Sequence, residues 1–81
     1  MPTVLRIDGF RFYFYSHETK EPAHIHVDKG NNSAKFCLEP VSLARNIGYS
    51  AKELRTLQNI VEENQSFMME KWNGYFGQSS R

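Results

Sequence analysis

Residues 21–39 read Glu-Pro-Ala-His-Ile-His-Val-Asp-Lys-Gly-Asn-Asn-Ser-Ala-Lys-Phe-Cys-Leu-Glu. Two runs of alternating apolar and polar residues flank a polar turn, a pattern typical of two neighbouring β-strands. Side chains two residues apart share one face of a strand. His24 and His26 are therefore expected to point one way, while Ile25 and Val27 point toward the core.

The register between these two strands follows from their apolar positions. Pairing Ile25 with Phe36 makes the apolar faces of both strands coincide, whereas a slip of one residue would destroy the match. This register places two further pairs directly opposite each other, namely His26 with Lys35 and His24 with Cys37.

A hairpin is predicted ahead of these strands, in residues 3–15. Asp8-Gly9 lies between two apolar-rich runs and is typical of a two-residue hairpin turn. Such a turn places two pairs opposite each other, Ile7 with Phe10 and Leu5 with Phe12. One face is then apolar and consists of Leu5, Ile7, Phe10, Phe12 and Phe14. The other face mixes aromatic and basic side chains, and it consists of Val4, Arg6, Arg11, Tyr13 and Tyr15.

The C-terminal half predicts helix. Val41 and Leu43 alternate with small residues, which permits a short fifth strand, and Ser50-Ala51-Lys52-Glu53 matches a capping box that starts a helix. A helical apolar stripe follows, made of Leu54, Leu57, Val61, Met68, Trp72 and Tyr75. Asn64 and Gln65 interrupt this stripe, and Ser66 offers a second N-cap, so one long helix and two shorter helices both fit.

These elements predict one α+β domain over residues 1–81. An antiparallel sheet of about four strands packs one face against a C-terminal helix, which is either continuous or broken in two. The opposite face is expected to carry the polar and aromatic set, namely Arg6, Arg11, Tyr13, Tyr15, His24, His26 and Lys35.

Composition excludes some classes of function. The chain has 81 residues and a formal net charge of +1, with both signs mixed throughout, which argues against nucleic-acid binding by bulk charge. With the single cysteine Cys37 no disulfide forms within the chain, and neither a signal peptide nor an apolar run of membrane-spanning length is evident. We therefore expect a cytoplasmic protein that does not bind membranes.

The histidine pair has three interpretations. As catalysts, His24 and His26 would divide general acid and base work, with Lys35 stabilising charge on a phosphate, and no metal or other cofactor would be needed. As metal ligands, they would recruit a third ligand from His17, Asp28 or Cys37. As ordinary surface residues, they would form hydrogen bonds near the turn at Pro22. His-x-His alone is a weak metal signal.

Two other groups of residues suggest binding surfaces. Arg6, Arg11, Tyr13 and Tyr15 would stack on and clamp single-stranded RNA, or they would form ordinary cross-strand pairs on a solvated sheet. Three apolar residues fall partly off the helical stripe and would mark a partner interface, namely Phe67, Met69 and Phe76.

The chain resembles a small prokaryotic domain-of-unknown-function family, numbered four-one-six-zero. The resemblance covers nearly the whole chain and is carried by the Gly-Phe-Arg-Phe-Tyr hairpin at residues 9–13 and by Pro-x-His-Ile-His-Val at residues 22–27. It implies a gene beside that of a second small protein and a role as the toxin half of a toxin–antitoxin pair. It supplies no catalytic set, and the signature positions that carry over are Pro22, His24, His26 and Val27.

The leading hypothesis is a toxin-like component that interferes with RNA, including by metal-independent cleavage, and that an antitoxin-like protein from an adjacent gene controls. Its catalytic candidates are His24, His26 and Lys35. Its RNA-binding candidates are Arg6, Arg11, Tyr13 and Tyr15. A non-enzymatic module that binds protein or nucleic acid and a metal-binding regulator are the alternatives, and a homo-oligomer is compatible with each of them.

Overall fold

The computed structural model describes residues 3–15 and 22–76, which form a five-stranded sheet and two helices. The strands are β1 (Thr3–Ile7), β2 (Phe10–Tyr13), β3 (His24–Lys29), β4 (Asn32–Leu38) and β5 (Val41–Ile47). The helices are α1 (Ala51–Glu63) and α2 (Gln65–Phe76). Each strand pairs antiparallel with the next along the chain. The α+β prediction is confirmed, with five strands instead of about four.

The hairpin of β1 and β2 closes at Asp8-Gly9 as predicted. Asp8 has φ +51° and Gly9 has φ +85°, the positive values that a type I′ turn requires at both central residues. The predicted pairs of Leu5 with Phe12 and Ile7 with Phe10 are both present. The register shifts between Thr3 and Leu5. Val4 consequently packs against the core, and its expected place on the polar face is wrong.

The predicted register of β3 and β4 is confirmed. Ile25 lies opposite Phe36, and the two pairs expected from this register follow, His26 with Lys35 and His24 with Cys37. The side chains of Ile25, Val27 and Phe36 are fully buried. Burial of this face fixes the register, because a shift by one residue would expose every one of these side chains.

An irregularity in β5 changes which side chains reach the polar face. Phe36 lies opposite Leu43, but its neighbour Lys35 lies opposite Arg45, so β5 contributes one extra residue at Ala44. A bulge of this kind turns the following side chains to the other face. Strict alternation would have left Arg45 on the core side with Leu43, and the bulge instead places it beside Lys35.

The helices begin and break where polar side chains satisfy the backbone. The Ser50 side chain accepts a hydrogen bond from the Glu53 N–H at 3.1 Å, and Glu53 Oε1 accepts one from the Ser50 N–H at 2.9 Å, which confirms the capping box. Asn64 ends α1 and donates from its side chain to the Ile60 carbonyl at 2.8 Å. The helix is therefore broken in two, and Ser66 lies inside α2 and not at its N-cap.

The core lies between the apolar sheet face and both helices. From the sheet it takes Phe10, Phe12, Phe14, Ile25, Val27, Ala34, Phe36 and Leu38, and from the helices Leu57, Ile60, Val61, Met68 and Trp72. Tyr75 departs from its predicted place in the apolar stripe, because half of its surface remains exposed. No helix among the described residues has the length and apolar character needed to cross a bilayer.

Tyr49 joins the end of β5 to the core, and it makes stability depend on alkaline pH. Its hydroxyl donates to the carbonyl oxygens of Val27 at 3.3 Å and Asn32 at 3.4 Å. Burial, together with the carboxylates of Asp28 and Glu53, raises the pKa of Tyr49 from 10.0 to about 12. Because the folded state keeps this proton longer than the unfolded chain, stability is full below about pH 10 and falls as the pH rises toward 12.

Urea unfolding at about pH 8 and about pH 11 tests this linkage. Tyr49→Phe should lose about 1 kcal/mol at the lower pH through its missing hydrogen bonds, and it should lose less than wild type on going to the higher pH. Tyr75→Phe, an exposed tyrosine, serves as the control and should behave as wild type. Equal alkaline losses in wild type and Tyr49→Phe would contradict the assignment.

Candidate RNA-binding face

One row of side chains crosses four strands on the sheet face opposite the core. Tyr13 in β2 lies opposite His26 in β3, His26 lies opposite Lys35 in β4, and Lys35 lies opposite Arg45 in β5. Directly opposite residues of antiparallel strands have Cβ atoms about 4.5–5.5 Å apart, so this row is continuous. We call this surface, defined by Tyr13, His26, Lys35 and Arg45, the outer row.

A pocket of about 380 Å³ opens along the outer row. Besides the four residues of the row, its lining includes Tyr15, Ser33, Ala34 and Ile47. The pocket combines a cationic wall, an aromatic wall and one exposed aliphatic side chain, that of Ile47. Such a mixture suits a ligand with both an anionic group and a flat apolar one.

Tyr13 forms the aromatic wall but has little surface of its own. It is 4% exposed; the Arg11 guanidinium carbon lies 4.6 Å from its ring centroid, and the His26 ring stacks at 5.3 Å. Its hydroxyl donates to Asp28 Oδ2 at 2.9 Å. Burial, with hydrogen bonds to Tyr15 and Asp28, raises the pKa of Tyr13 above its ordinary value. Tyr13 positions its neighbours, and its ring is not open to a stacking base.

His26 is half-buried at the centre of the aromatic group. Its ring centroid lies 4.8 Å from that of Tyr15 and 5.0 Å from that of His24, both in edge-on arrangements. These contacts, with the stacked Tyr13 ring, hold the imidazole over the pocket that it lines. Of the two predicted acid–base histidines, His26 is the one that a ligand in the pocket can reach.

His24 lies elsewhere than predicted, because a helix covers it. It was expected on the open face, but it is 1% exposed, and its ring centroid lies 5.0 Å from that of Trp72 in α2. Its Nδ1 lies 2.9 Å from the Pro22 carbonyl oxygen, an acceptor, so Nδ1 carries the proton in this bond. The expectation of a surface histidine is wrong, because the indole of Trp72 packs against His24 at the start of β3.

The two predicted hairpin arginines lie near the pocket without lining it. Arg6 is exposed in β1 and pairs with Arg11. Arg11 is half-buried, and its Nε donates to the Thr3 hydroxyl at 3.0 Å. Both arginines lie in the row of residues next to the outer row. They extend its positive charge toward β1, while the pocket itself takes its cations from Lys35 and Arg45.

The sequence did not predict the roles that two residues, Arg45 and Asp28, have at this site. Arg45 could not be placed without the bulge at Ala44, although its basic side chain in a strand-like run was a usable signal. Asp28 was considered as a metal ligand alone, yet it anchors the Tyr13 hydroxyl. Asp28 Oδ1 is buried and has no hydrogen-bond partner among the described residues.

The described residues contain no cluster of side chains that would support the metal-binding interpretation. Within residues 3–15 and 22–76 no group of three or more histidine, cysteine, aspartate or glutamate side chains is arranged to hold an ion. Cys37 is half-buried and pairs opposite His24. His17, which was considered as a third ligand, lies outside the described residues.

Most of the chain, including strands β2 to β5 and the pocket, matches the model of one known protein family. The family model described as "Domain of unknown function (DUF4160)" matches residues 9–73. The chain belongs to the DUF4160 family. The match confirms the resemblance predicted from the sequence, and it includes every residue of the outer row. The search of curated proteins finds no match, and neither does that of solved structures.

Proposed function

We propose that this DUF4160 protein binds single-stranded RNA along the outer row and acts as the toxin-like component of a two-component module. The observation that carries the proposal is the alignment of Tyr13, His26, Lys35 and Arg45 across four strands over one pocket. The toxin-like role, and control by a partner protein, rest on what the family resemblance implies.

Electrostatics favour an anionic ligand at one end of the row. Lys35 and Arg45 lie directly opposite each other, and like charges in this position weaken a sheet. A phosphate between the two side chains would attract both cations and so offset their mutual repulsion. Both side chains are long enough to reach the same phosphate oxygen atoms. The net charge of +1 means that binding depends on this local pair and not on bulk charge.

Shape favours a single strand over a duplex. The aromatic edge of Tyr15 and the aliphatic side chain of Ile47 line the same pocket as the two cations. A base of an unpaired nucleotide can rest on these groups while its phosphate meets Lys35, as in other sheet modules that bind single strands. Bases stacked inside a duplex do not offer such a face.

Binding is better supported than cleavage, because the two predicted imidazoles are not equivalent. His26 and Lys35 both line the pocket, and under this proposal His26 would exchange a proton with a ribose 2′-hydroxyl while Lys35 would stabilise charge on the phosphate. His24 is buried beneath Trp72 and therefore acts as a positioning residue, holding His26 by the ring contact at 5.0 Å. Cleavage thus depends on His26.

The RNA proposal is tested by anisotropy titrations of a labelled single-stranded RNA of about 12 nucleotides, a length within the range that small sheet modules contact. Lys35→Ala and Arg45→Ala should each weaken binding. Each should also lower the slope of log affinity against log salt by about 0.7, the value for one lost phosphate contact on a single strand. Arg55→Ala, which removes an exposed arginine of α1, is the matched control and should change neither quantity.

The slope of log affinity against log salt also defines the results that would reject this site. If Lys35→Ala and Arg45→Ala bind RNA with the wild-type slope, the outer row makes no phosphate contact. If all three variants lower the slope equally, binding is by dispersed surface charge. A duplex of the same sequence that binds as tightly as the single strand would remove the argument from the pocket's aromatic and aliphatic walls.

A further inference from the structure

The outward side of α2 carries a stripe that no part of the described chain covers. Met68 and Trp72 of this helix are buried, whereas the opposite side is exposed. We define the α2 stripe as Phe67, Glu70, Lys71 and Gly74, which lie on one side at helical spacing. All four residues line a groove of about 540 Å³, whose far wall includes Thr3 and Val4.

Gly74 is the first sign that the stripe meets another surface. It lies inside α2, where glycine is less favourable than alanine because more backbone freedom is lost on folding. A Cβ atom built at this position would meet no heavy atom within 4 Å, and the backbone φ is not positive. Packing among residues 3–15 and 22–76 therefore gives no reason for a glycine here. A bulky side chain that approaches from outside would need the space that it leaves.

The order of residues in the stripe supplies the second sign. It reads Phe67-x-x-Glu70-Lys71-x-x-Gly74, which is symmetric in spacing and complementary in chemistry about the midpoint between Glu70 and Lys71. A two-fold axis through that midpoint, perpendicular to the helix, pairs a large side chain with an empty position and an acid with a base. Phe67 then faces Gly74 of the partner subunit, and Glu70 faces Lys71 of the partner subunit.

We propose that the protein forms a symmetric dimer in which two α2 helices pack antiparallel through the α2 stripe. A two-fold interface uses the same patch on both subunits and must therefore be self-complementary, as this stripe is. The Lys71 ammonium lies 5.4 Å from the ring of its own Phe67, so it presents positive charge where an incoming glutamate arrives. This proposal is independent of RNA binding, since the stripe and the outer row share no residue.

The size of the stripe sets the expected strength of the dimer. A helix of 12 residues is about 18 Å long at ~1.5 Å per residue, and four side chains per subunit form its contact. An interface of this size buries a small area, which is typical of weak complexes that dissociate and re-form readily. We therefore expect dissociation in the micromolar range, about 10⁻⁶–10⁻⁴ M, which concentration series resolve.

Sedimentation velocity of the full chain over such a concentration series tests the proposal. Wild type should shift from monomer to dimer, and Gly74→Leu should raise the dissociation constant at least tenfold by filling the space opposite Phe67. Because that position is open in the monomer and leucine favours helix, the thermal melt of dilute Gly74→Leu should be unchanged or higher.

A charge exchange tests the antiparallel register itself. Glu70→Lys and Lys71→Glu should each weaken the dimer, since each places like charges opposite one another. The double variant, Glu70→Lys with Lys71→Glu, should restore it, because the interacting charges are then exchanged. No role within one chain predicts this rescue.

Any of the following results would overturn the dimer. The first is a wild-type chain that stays monomeric throughout the series. The second is a dimer that persists in Gly74→Leu, or a double charge variant that does not recover the dimer. The third is a monomeric chain whose stripe instead binds the protein encoded by the adjacent gene, detected by the same Gly74→Leu variant losing that complex.

Discussion

Trp72→Ala and Phe12→Ala are each expected to reduce the free energy of unfolding by about 3–5 kcal/mol, the range for truncating a buried aromatic side chain. Phe12 is fully buried, and Trp72 is 6% exposed. A chain of 81 residues has little stability in reserve, so either variant should be partly unfolded at 37 °C. Urea unfolding followed by circular dichroism measures the loss.

Trp72 also packs against three other aromatic rings. Its indole lies 5.0 Å from His24, 5.4 Å from Phe14 and 4.4 Å from Phe76, measured between ring centroids. The same indole covers His24, the first residue of β3, so its removal would also uncover this side chain.

Tyr75→Ala in the same helix is the matched control for these truncations. It also removes an aromatic ring, but half of Tyr75 is exposed, so the expected loss is within about 1 kcal/mol. A loss of less than about 1 kcal/mol for Trp72→Ala would mean that the indole is not part of the core.

Those parts of the fold that depend on local alternation could be predicted from the sequence. The Asp8-Gly9 turn, the pairing of Ile25 with Phe36 and the capping box at Ser50 each depend on a few neighbouring residues. In each case one arrangement buries the apolar side chains or satisfies the backbone, and the alternatives do not. Local rules therefore sufficed.

The parts that could not be predicted depend on contacts distant in the chain. Arg45 reached the pocket because of a bulge in β5, and no local pattern marks where a strand inserts an extra residue. His24 is buried by Trp72, which lies 48 positions later in the chain. Alternation places a side chain on a face, but it does not reveal whether a residue distant in the chain packs over that side chain.

The predicted positions of the candidate residues agree with the structure for some of them and differ for others. His26 and Lys35 are neighbours in the register that the sequence predicts, and both line the pocket. Arg6 and Arg11 lie in the adjacent row, and Tyr13 is enclosed by side chains of its own face. The assignment of roles among these residues, as opposed to their positions, stays a prediction.

His26→Ala should have the largest effect on any RNA cleavage by this protein. Loss of a general acid or base typically lowers a rate by about 10²–10⁴-fold, and His26 is the imidazole that lines the pocket. Binding of RNA should change much less, because the phosphate contacts come from Lys35 and Arg45. Cleavage of a labelled RNA, with anisotropy on a non-cleavable analogue, separates the two effects.

His24→Ala tests the division of roles between the two histidines. Because His24 is 1% exposed and hydrogen-bonded to the Pro22 carbonyl, its truncation should destabilise the fold by about 2 kcal/mol or more. His26→Ala, at a half-buried position, should leave the melt closer to wild type. Both proteins are therefore assayed well below their melting temperatures, where a loss of cleavage in His26→Ala cannot come from unfolding.

The same variants decide the function in cells. Inducible expression without the adjacent gene should arrest growth, co-expression of that gene should relieve the arrest, and RNA profiling should identify the target. The arrest should be lost in the Lys35→Ala, Arg45→Ala double variant, whose RNA binding is impaired, and in His26→Ala if cleavage causes the arrest.

A chelator should leave cleavage in vitro unchanged. If cleavage disappears with chelator and returns with zinc, the metal interpretation of the histidine pair replaces the acid–base one, and if arrest persists in both variants, the outer row is not the toxic site.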